Sequence, residues 1–220
     1  MVDIYVGRDD QKKHIHVHKG LLCSKVPYFE KMFFGGFKEA TENSAEFPDD
    51  DVQAFDILIQ WVYSGIVPPF KWIPDPDAGE GCWESSWSLL KTYLLMDKFC
   101  LFTVGDQLLT NFLIELARQH IVSDFDMIDD IYEQAPEDSP LRKFALYSFY
   151  HTMNVLSKND TAKSAWKMEE VKGGLMKNGD LLLDYLKLSQ QHDIRDPIEA
   201  PTHMPICTFH RHTDDEPCTI

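Results

Sequence analysis

The sequence predicts an α/β fold in which a sheet of short strands is covered by a cluster of helices and is followed by an α-helical extension. The chain has 220 residues, 44% of them hydrophobic, which suffices for a sizeable core because single cores are common up to about 250 residues. Near the N-terminus apolar residues alternate with polar ones, the period-2 pattern of a strand. Farther along the chain, apolar residues repeat every three or four positions, as they do on one face of a helix.

Three short strands are predicted. Apolar residues alternate over residues 2–6, and Ile15 and Val17 resume the alternation after a polar turn, so these two segments are expected to form a hairpin. A third strand is expected at residues 45–47. We expect the strands to form an antiparallel sheet packed against helices.

Helices are predicted where apolar residues recur at helical spacing. Several of these segments begin or end at residues that are common at helix termini. These segments are residues 19–25, 28–34, 52–64, 88–99, 104–116, 124–134, 140–153 and 180–189. Pro27 suits the first turn of the second helix, and one of the aspartates at 49–51 is expected to cap the third. Gly65 is expected to close the third helix, and Ser139 to cap the helix that begins at Pro140.

Composition divides the chain into three parts. Residues 1–118 form the predicted α/β domain, residues 119–194 a helical extension, and residues 195–220 an irregular tail. Within the first part, the stretch 67–87 is rich in proline, glycine and tryptophan and is predicted to be a long loop. The favoured interpretation is that its tryptophans pack back on the domain; the alternative is an exposed apolar patch of Trp72, Trp83 and Trp87 that binds a partner.

Charge and cysteine content exclude several classes of function. The net charge of −15 disfavours binding to nucleic acids and to anionic membranes, since both depend on clustered lysine and arginine. The chain shows no targeting peptide and no apolar run long enough to span a membrane. Five scattered cysteines are typical of reduced thiols, so an intracellular protein of the cytoplasm or nucleus is expected.

No catalytic or nucleotide-binding motif is present in the sequence. The patterns of P-loops, dinucleotide-binding turns, nucleophile elbows and zinc proteases are all missing. We therefore expect a protein that is not an enzyme.

A specific set of residues accompanies this order of elements. It consists of His18-Lys19-x-x-Leu22, Ser24, Pro27-Tyr28-Phe29, Phe37-Lys38-Glu39, Phe47, Ala54-Phe55, Trp61-x-Tyr63-Ser64-Gly65 and the run LLMDKF at 94–99. Together these residues resemble the signature of the BTB/POZ domain family over about residues 2–117. Residues 135–148 more loosely resemble the C-terminal half of fungal BTB-only proteins. Leu22, Phe29, Phe55 and Tyr63 are expected to be core residues, so the signature itself points to a fold and not to a site.

The resemblance implies that the protein binds other proteins. Phe37-Lys38-Glu39 falls where BTB adaptors of cullin-3 ubiquitin ligases carry a hydrophobic-x-Glu motif, whose apolar side chain fills a pocket on the cullin while the glutamate makes a polar contact. Phe37 and Glu39 are therefore the predicted cullin contacts. The alternative is that Phe37 packs on its own domain and Glu39 is solvated.

Two departures from that family pattern favour a second function. The chain begins almost on its first strand, without the preceding helix that many BTB domains exchange in a homodimer, and it shows no recognisable substrate-receptor domain. The alternative to a cullin adaptor is therefore a stand-alone scaffold that associates with itself or with another BTB protein without binding cullin.

The C-terminal tail contains the spacing C-x2-H-x-H-x5-C, formed by Cys207, His210, His212 and Cys218. Two thiolates and two imidazoles make a complete tetrahedral zinc set, and a zinc ion would order an otherwise irregular segment. His203 could replace either histidine. The alternative is a flexible end with scattered cysteine and histidine and no cofactor.

Three histidines alternate near the second predicted strand, at His14, His16 and His18. Alternate residues of a strand share one face about 6–7 Å apart, which is too far for all three to bind one ion without distortion. We interpret them as a solvated outer face, with His18 hydrogen-bonded as part of the family signature.

Overall fold

The computed structural model describes residues 1–74, 77, 83–155, 166–192, 198–212 and 218, apart from the side chain of Trp83. The chain divides into two compact units, Met1–Leu108 and Leu109–Ile220. The boundary between them falls within the long helix that spans residues 102–119.

The first unit contains short strands and helices in an alternating order. Its strands are β1 (Val2–Val6), β2 (Lys13–Val17), β3 (Ser44–Phe47), β4 (Trp72–Pro74) and β5 (Trp83–Ser85). Its helices are α1 (Lys19–Lys25), α2 (Pro27–Phe34), α3 (Lys38–Glu42), α4 (Val52–Ser64) and α5 (Leu89–Lys98), and α6 (Phe102–Gln119) begins in it. The predicted hairpin and helices are present.

The main sheet is mixed. β1 lies between β2 and β3, pairing antiparallel with β2 (Val2 opposite Val17) and parallel with β3 (Ile4 opposite Ala45). The prediction of a wholly antiparallel sheet was therefore wrong for β3. The path through α1–α3 carries the chain to the far edge of β1, and a parallel neighbour requires such a crossover; side-chain alternation does not encode it.

The core of the first unit is built on four phenylalanines that the sequence signature supplies. Phe29, Phe47, Phe55 and Phe99 are all buried. Phe47 lies with its ring centroid 5.0 Å from that of Phe55 and 5.8 Å from that of Phe29. Phe99 lies 5.1 Å from Phe29 and 5.8 Å from Phe55. Edge and tilted ring contacts at these distances add about 0.5–1.5 kcal/mol per pair beyond the burial of apolar area.

The predicted helix termini are confirmed at three places. The Asp51 carboxylate accepts a hydrogen bond from the N–H of Ala54 at 3.0 Å and caps α4. Gly65 follows α4 with φ +72°, a left-handed backbone conformation that is higher in free energy for other residues than for glycine. Ser139 Oγ accepts from the N–H of Leu141 at the start of α8 (Pro140–Asn154).

Three features of the α-helices and strands were not predicted. α3 follows directly after Phe37. β4 and β5 pair as a small antiparallel ladder inside the predicted loop 67–87. The third is α9 (Met168–Lys177), which contains Gly173-Gly174, a pair that sequence propensity disfavours in a helix.

The second unit is helical. It contains the rest of α6, then α7 (Phe125–Gln134), α8, α9 and α10 (Gly179–Gln191), followed by 3-10 turns at Pro201–His203 and Ile206–Phe209. This unit contains a cluster of aromatic side chains. The Phe149 ring stacks on Trp166 with a centroid distance of 5.6 Å, and its centroid lies 6.0 Å from that of Phe125 and 5.3 Å from that of Tyr185. Among the described residues, no helix combines the length and apolar character needed to span a membrane.

Candidate interaction surface and Cys/His cluster

Phe37 lies at the N-terminus of α3, directly after Gly35-Gly36, and is 61% exposed. Its backbone N–H donates to the carbonyl of Gly35 at 2.8 Å. Its ring lies so close to the Gly35 backbone that a Cβ atom added to Gly35 would come within 2.9 Å of the ring carbon Cε2. The ring therefore contacts the Gly35 backbone while most of its surface faces solvent.

A second exposed aromatic side chain stands three positions earlier. Phe34, the last residue of α2, is 67% exposed, and Lys19 Nζ lies 4.8 Å from its ring centroid. Glu39, in the first turn of α3, is half-buried. We call Phe34, Phe37 and Glu39 the α2–α3 surface. It presents two exposed aromatic rings beside charged groups, and aromatic residues are common among the residues that contribute most to protein interfaces.

The predicted tryptophan patch is only partly available to a partner. Trp87 is 2% exposed and packs edge to face on Phe70 at 5.0 Å. Trp72 is half-buried and meets the same ring at 5.4 Å, while the side chain of Trp83 lies outside the described residues. The Trp87 ring therefore packs back on the domain, as the favoured interpretation expects, and a partner-binding role for the tryptophans stays a prediction.

The histidines of β2 lie on the outer face of the sheet. His14 Nε2 and His16 Nδ1 lie 2.6 and 2.8 Å from the same Asp3 Oδ1 atom. These hydrogen bonds hold the pKa of the Asp3 carboxyl below its usual value. Both histidines are exposed, as expected, and His18 lies beyond the end of the strand, so the three histidines do not converge.

The structure brings the four predicted tail residues together. The ligand-capable atoms of Cys207, His210, His212 and Cys218 all lie within 4.8 Å of one another. His210 Nδ1 lies 3.3 Å from His212 Nε2 and 3.6 Å from Cys218 Sγ. His203 is exposed in the Pro201–His203 turn and is not one of this group, so the substitution of His203 for either histidine is not what the structure shows.

A fifth residue completes the cluster and was not predicted. Thr110, on α6, is buried, and its Oγ1 lies 2.9 Å from His210 Nε2. Burial, together with the nearby His212, lowers the pKa of His210. Thr110 lies 100 positions from His210 in an ordinary amphipathic helix, so no local pattern could have identified it.

The N-terminal region is similar to known BTB proteins. Residues 1–74 match the BTB/POZ domain family. Kelch-like protein 28 of Homo sapiens and of Mus musculus are each 36% identical to this chain over 67 residues, which is 30% of this chain and 11% of the relative. Kelch repeat and BTB domain-containing protein 6 of Homo sapiens is 34% identical over 50 residues, or 23% of this chain and 7% of the relative.

These alignments cover a small part of each relative, so they inform on the N-terminal region alone. The matched residues include the mixed sheet, helices α1–α4 and three of the four core phenylalanines, all but Phe99. The N-terminal part of this chain therefore carries a BTB/POZ domain, the fold of a protein-interaction family.

Proposed function

We propose that this chain binds the N-terminal domain of cullin-3 through the α2–α3 surface and acts as a ubiquitin-ligase adaptor. The observation that carries the proposal is the exposure of the Phe37 ring at the start of α3, where it contacts the Gly35 backbone. Residues that contribute most to interfaces are typically aromatic side chains that enter a pocket on the partner.

The neighbouring residues support the same assignment. Glu39 stands two positions after Phe37, as the hydrophobic-x-Glu pattern requires. In the part of the chain that the structure describes, Glu39 forms no ion pair. Lys38, by contrast, pairs with Glu42 at 3.5 Å. Glu39 is therefore the acidic group of this turn that is placed to contact a partner.

The test is a calorimetric titration of the purified cullin-3 N-terminal domain into the full chain. Phe37→Ala is expected to weaken binding at least tenfold, which corresponds to about 1.4 kcal/mol. Glu39→Gln is expected to weaken it less, because a rim charge contributes less than a buried anchor. Ile66→Ala is the matched control, since Ile66 is as exposed as Phe34 but lies after α4.

Equal affinity of the wild type and Phe37→Ala, or no binding by the wild type, would contradict the proposal. Circular dichroism of each variant distinguishes lost binding from lost folding. An exposed side chain such as Phe37 can be truncated with little cost to stability.

A second candidate is self-association without cullin. It is favoured by α10, where Leu182, Leu183 and Leu186 are exposed and Leu186 lies one turn after each of the other two. Light scattering of the full chain tests it. A dimer that becomes monomeric in Leu183→Glu, with no heat on titration with cullin, would favour this function over the adaptor.

A further inference from the structure

We propose that Cys207, His210, His212 and Cys218 bind one structural zinc ion in the second unit. The donor set is chemically complete, since two cysteine thiolates and two neutral imidazoles make a closed tetrahedral zinc site. Sulfur and imidazole nitrogen in tetrahedral array also select zinc over calcium and magnesium, which prefer oxygen.

Two of the distances between the donor atoms agree with a tetrahedron of zinc-site size, and all donor atoms lie within 4.8 Å of one another. With Zn–N bonds of about 2.05 Å and Zn–S bonds of about 2.3 Å, two nitrogens should lie about 3.3–3.4 Å apart and a nitrogen and a sulfur about 3.5–3.6 Å apart. His210 Nδ1 and His212 Nε2 lie 3.3 Å apart, and His210 Nδ1 and Cys218 Sγ lie 3.6 Å apart. Cys207 lies close enough to supply the fourth ligand.

Thr110 provides the outer contact that a zinc-binding histidine requires. His210 directs Nδ1 toward the other ligand atoms and Nε2 toward Thr110 Oγ1, 2.9 Å away. In that arrangement the Nε2 proton is donated to the threonine hydroxyl and the Nδ1 lone pair is left for the metal. Such partners fix the tautomer and ring orientation of a ligating histidine.

The local backbone positions two of the ligands before any metal binds. Cys207 lies within the Ile206–Phe209 turn and His210 follows it directly, and the N–H of His210 donates to the carbonyl of Cys207 at 3.2 Å. Between them Phe209 is fully buried, with its ring 6.0 Å from Phe144 and 5.9 Å from Tyr147. The turn is therefore anchored to α8, and two ligands are presented from a fixed frame.

The site is structural because four protein ligands leave no open coordination position for water or substrate. Its role follows from its place in the chain. Cys218 is the most C-terminal described residue, and its bond to the metal would fasten this end of the chain to the α6 and α8 framework of the second unit. This role is independent of the α2–α3 surface.

The primary test is the zinc content of the full chain, purified without chelator and measured by inductively coupled plasma mass spectrometry. About one equivalent per chain is expected for the wild type. The double variant Cys207→Ser, Cys218→Ser should lose it. His203→Ala is the control for a nearby histidine, and Asp3→Asn is the control for the exposed Asp3, His14 and His16 group; both should retain the metal.

Cobalt titration provides a spectroscopic readout of the same ligands. The wild type should show the visible bands of tetrahedral cobalt and a thiolate charge-transfer band, and the double cysteine variant should show neither. Thr110→Val retains all four ligands and is expected to weaken zinc about 10–100-fold in competition with a colorimetric chelator.

Less than about a tenth of an equivalent of zinc in the wild type, together with no tetrahedral cobalt spectrum, would overturn the proposal. Full zinc content in the double cysteine variant, or loss of zinc in Asp3→Asn alone, would also overturn it. If the double variant does not fold, Thr110→Val decides: unchanged zinc affinity in that variant contradicts the geometry proposed for His210.

Discussion

His18 Nδ1 lies 2.8 Å from the hydroxyl oxygen of Tyr63, and the backbone N–H of His18 donates to the same oxygen at 3.2 Å. The two rings meet edge to face at 5.8 Å. This contact joins the N-cap of α1 to the last turn of α4, and so two residues of the family signature that are 45 positions apart in the chain. The expectation of a hydrogen-bonded His18 is confirmed. The expectation that Tyr63 is a core residue was wrong, because Tyr63 is 48% exposed.

Removing this hydroxyl is expected to weaken the first unit. Tyr63→Phe keeps the ring and deletes the hydrogen bonds, so the free energy of unfolding should fall by about 0.5–1 kcal/mol, near the low end for a hydrogen bond because the site is partly solvated. Urea denaturation followed by circular dichroism measures it. Tyr28→Phe is the matched control, because within the described part of the chain Tyr28 makes ring contacts with Phe29 and Phe99 and no side-chain hydrogen bond. Equal stability of the two variants would show that the His18 contact contributes nothing.

Much of the first unit could be predicted because its determinants are local. Asp51 and Gly65 bound α4 through side-chain capping and a positive φ, which are properties of the residues themselves. The buried phenylalanines recur at helix and strand spacing. Helix caps and the spacing of apolar residues can be recognised in the sequence without knowledge of what each element packs against.

The remainder could not be predicted because it depends on tertiary contacts. The parallel pairing of β3 follows from the path of the chain, and α3 has no apolar periodicity over Lys38–Glu42. The Cys/His residues of the candidate zinc site could be named from their spacing. Their partner Thr110 could not, since the contact spans 100 positions.

Gly35 is expected to control the position of Phe37. Its φ of −81° suits any residue, but a Cβ atom there would lie 2.2 Å from the carbonyl oxygen of Lys31 and 2.9 Å from the Phe37 ring. The backbone oxygen cannot move freely, so Gly35→Ala should destabilise the protein by about 1–3 kcal/mol and displace the Phe37 ring. Thermal unfolding and the cullin titration measure the two effects.

Gly36→Ala is the control for this substitution. A Cβ atom at Gly36 meets nothing within 4 Å, and among the described glycines positive φ is confined to Gly7 and Gly65. Gly36→Ala should therefore leave stability unchanged or raise it by up to about 1 kcal/mol. Similar stability of the Gly35 and Gly36 variants would show that the Gly35–Phe37 contact does not constrain the loop.

Asp51 is expected to give α4 a pH-dependent stability. Burial raises the pKa of Asp51, but hydrogen bonds from the N–H of Ala54 and from Lys91 outweigh it and hold that pKa below its usual value. The ionised form is therefore favoured in the folded state, and its contribution is present above the usual aspartate pKa and is lost as the pH falls through the lowered value.

Two substitutions separate the cap from the charge. Asp51→Ala should lower the free energy of unfolding by about 0.5–2 kcal/mol at pH 7. Asp51→Asn keeps a cap acceptor and should cost less. The difference between wild type and Asp51→Asn should shrink as the pH falls below about 4. A difference that stays constant from pH 7 to pH 3 would mean that the Asp51 charge does not stabilise the fold.

Gly174 is expected to be the one position of the α9 glycine pair that cannot accept a side chain. It is buried, and a Cβ atom there would lie 2.5 Å from Cε1 of the Phe125 ring. Phe125 is itself buried in contact with both Phe149 and Trp166, so it has little room to move. Gly174→Ala should therefore destabilise the second unit by about 1–3 kcal/mol.

Substitution of the adjacent glycine, Gly173, is expected to have the opposite effect on stability. Gly173 is exposed and a Cβ atom there meets nothing within 4 Å. Gly173→Ala should stabilise the protein by about 0.5–1 kcal/mol, because alanine loses less backbone entropy on helix formation. Differential scanning calorimetry of the two variants should thus move the melting temperature in opposite directions. A shift of the same sign in both would show that α9 does not pack on Phe125 through Gly174.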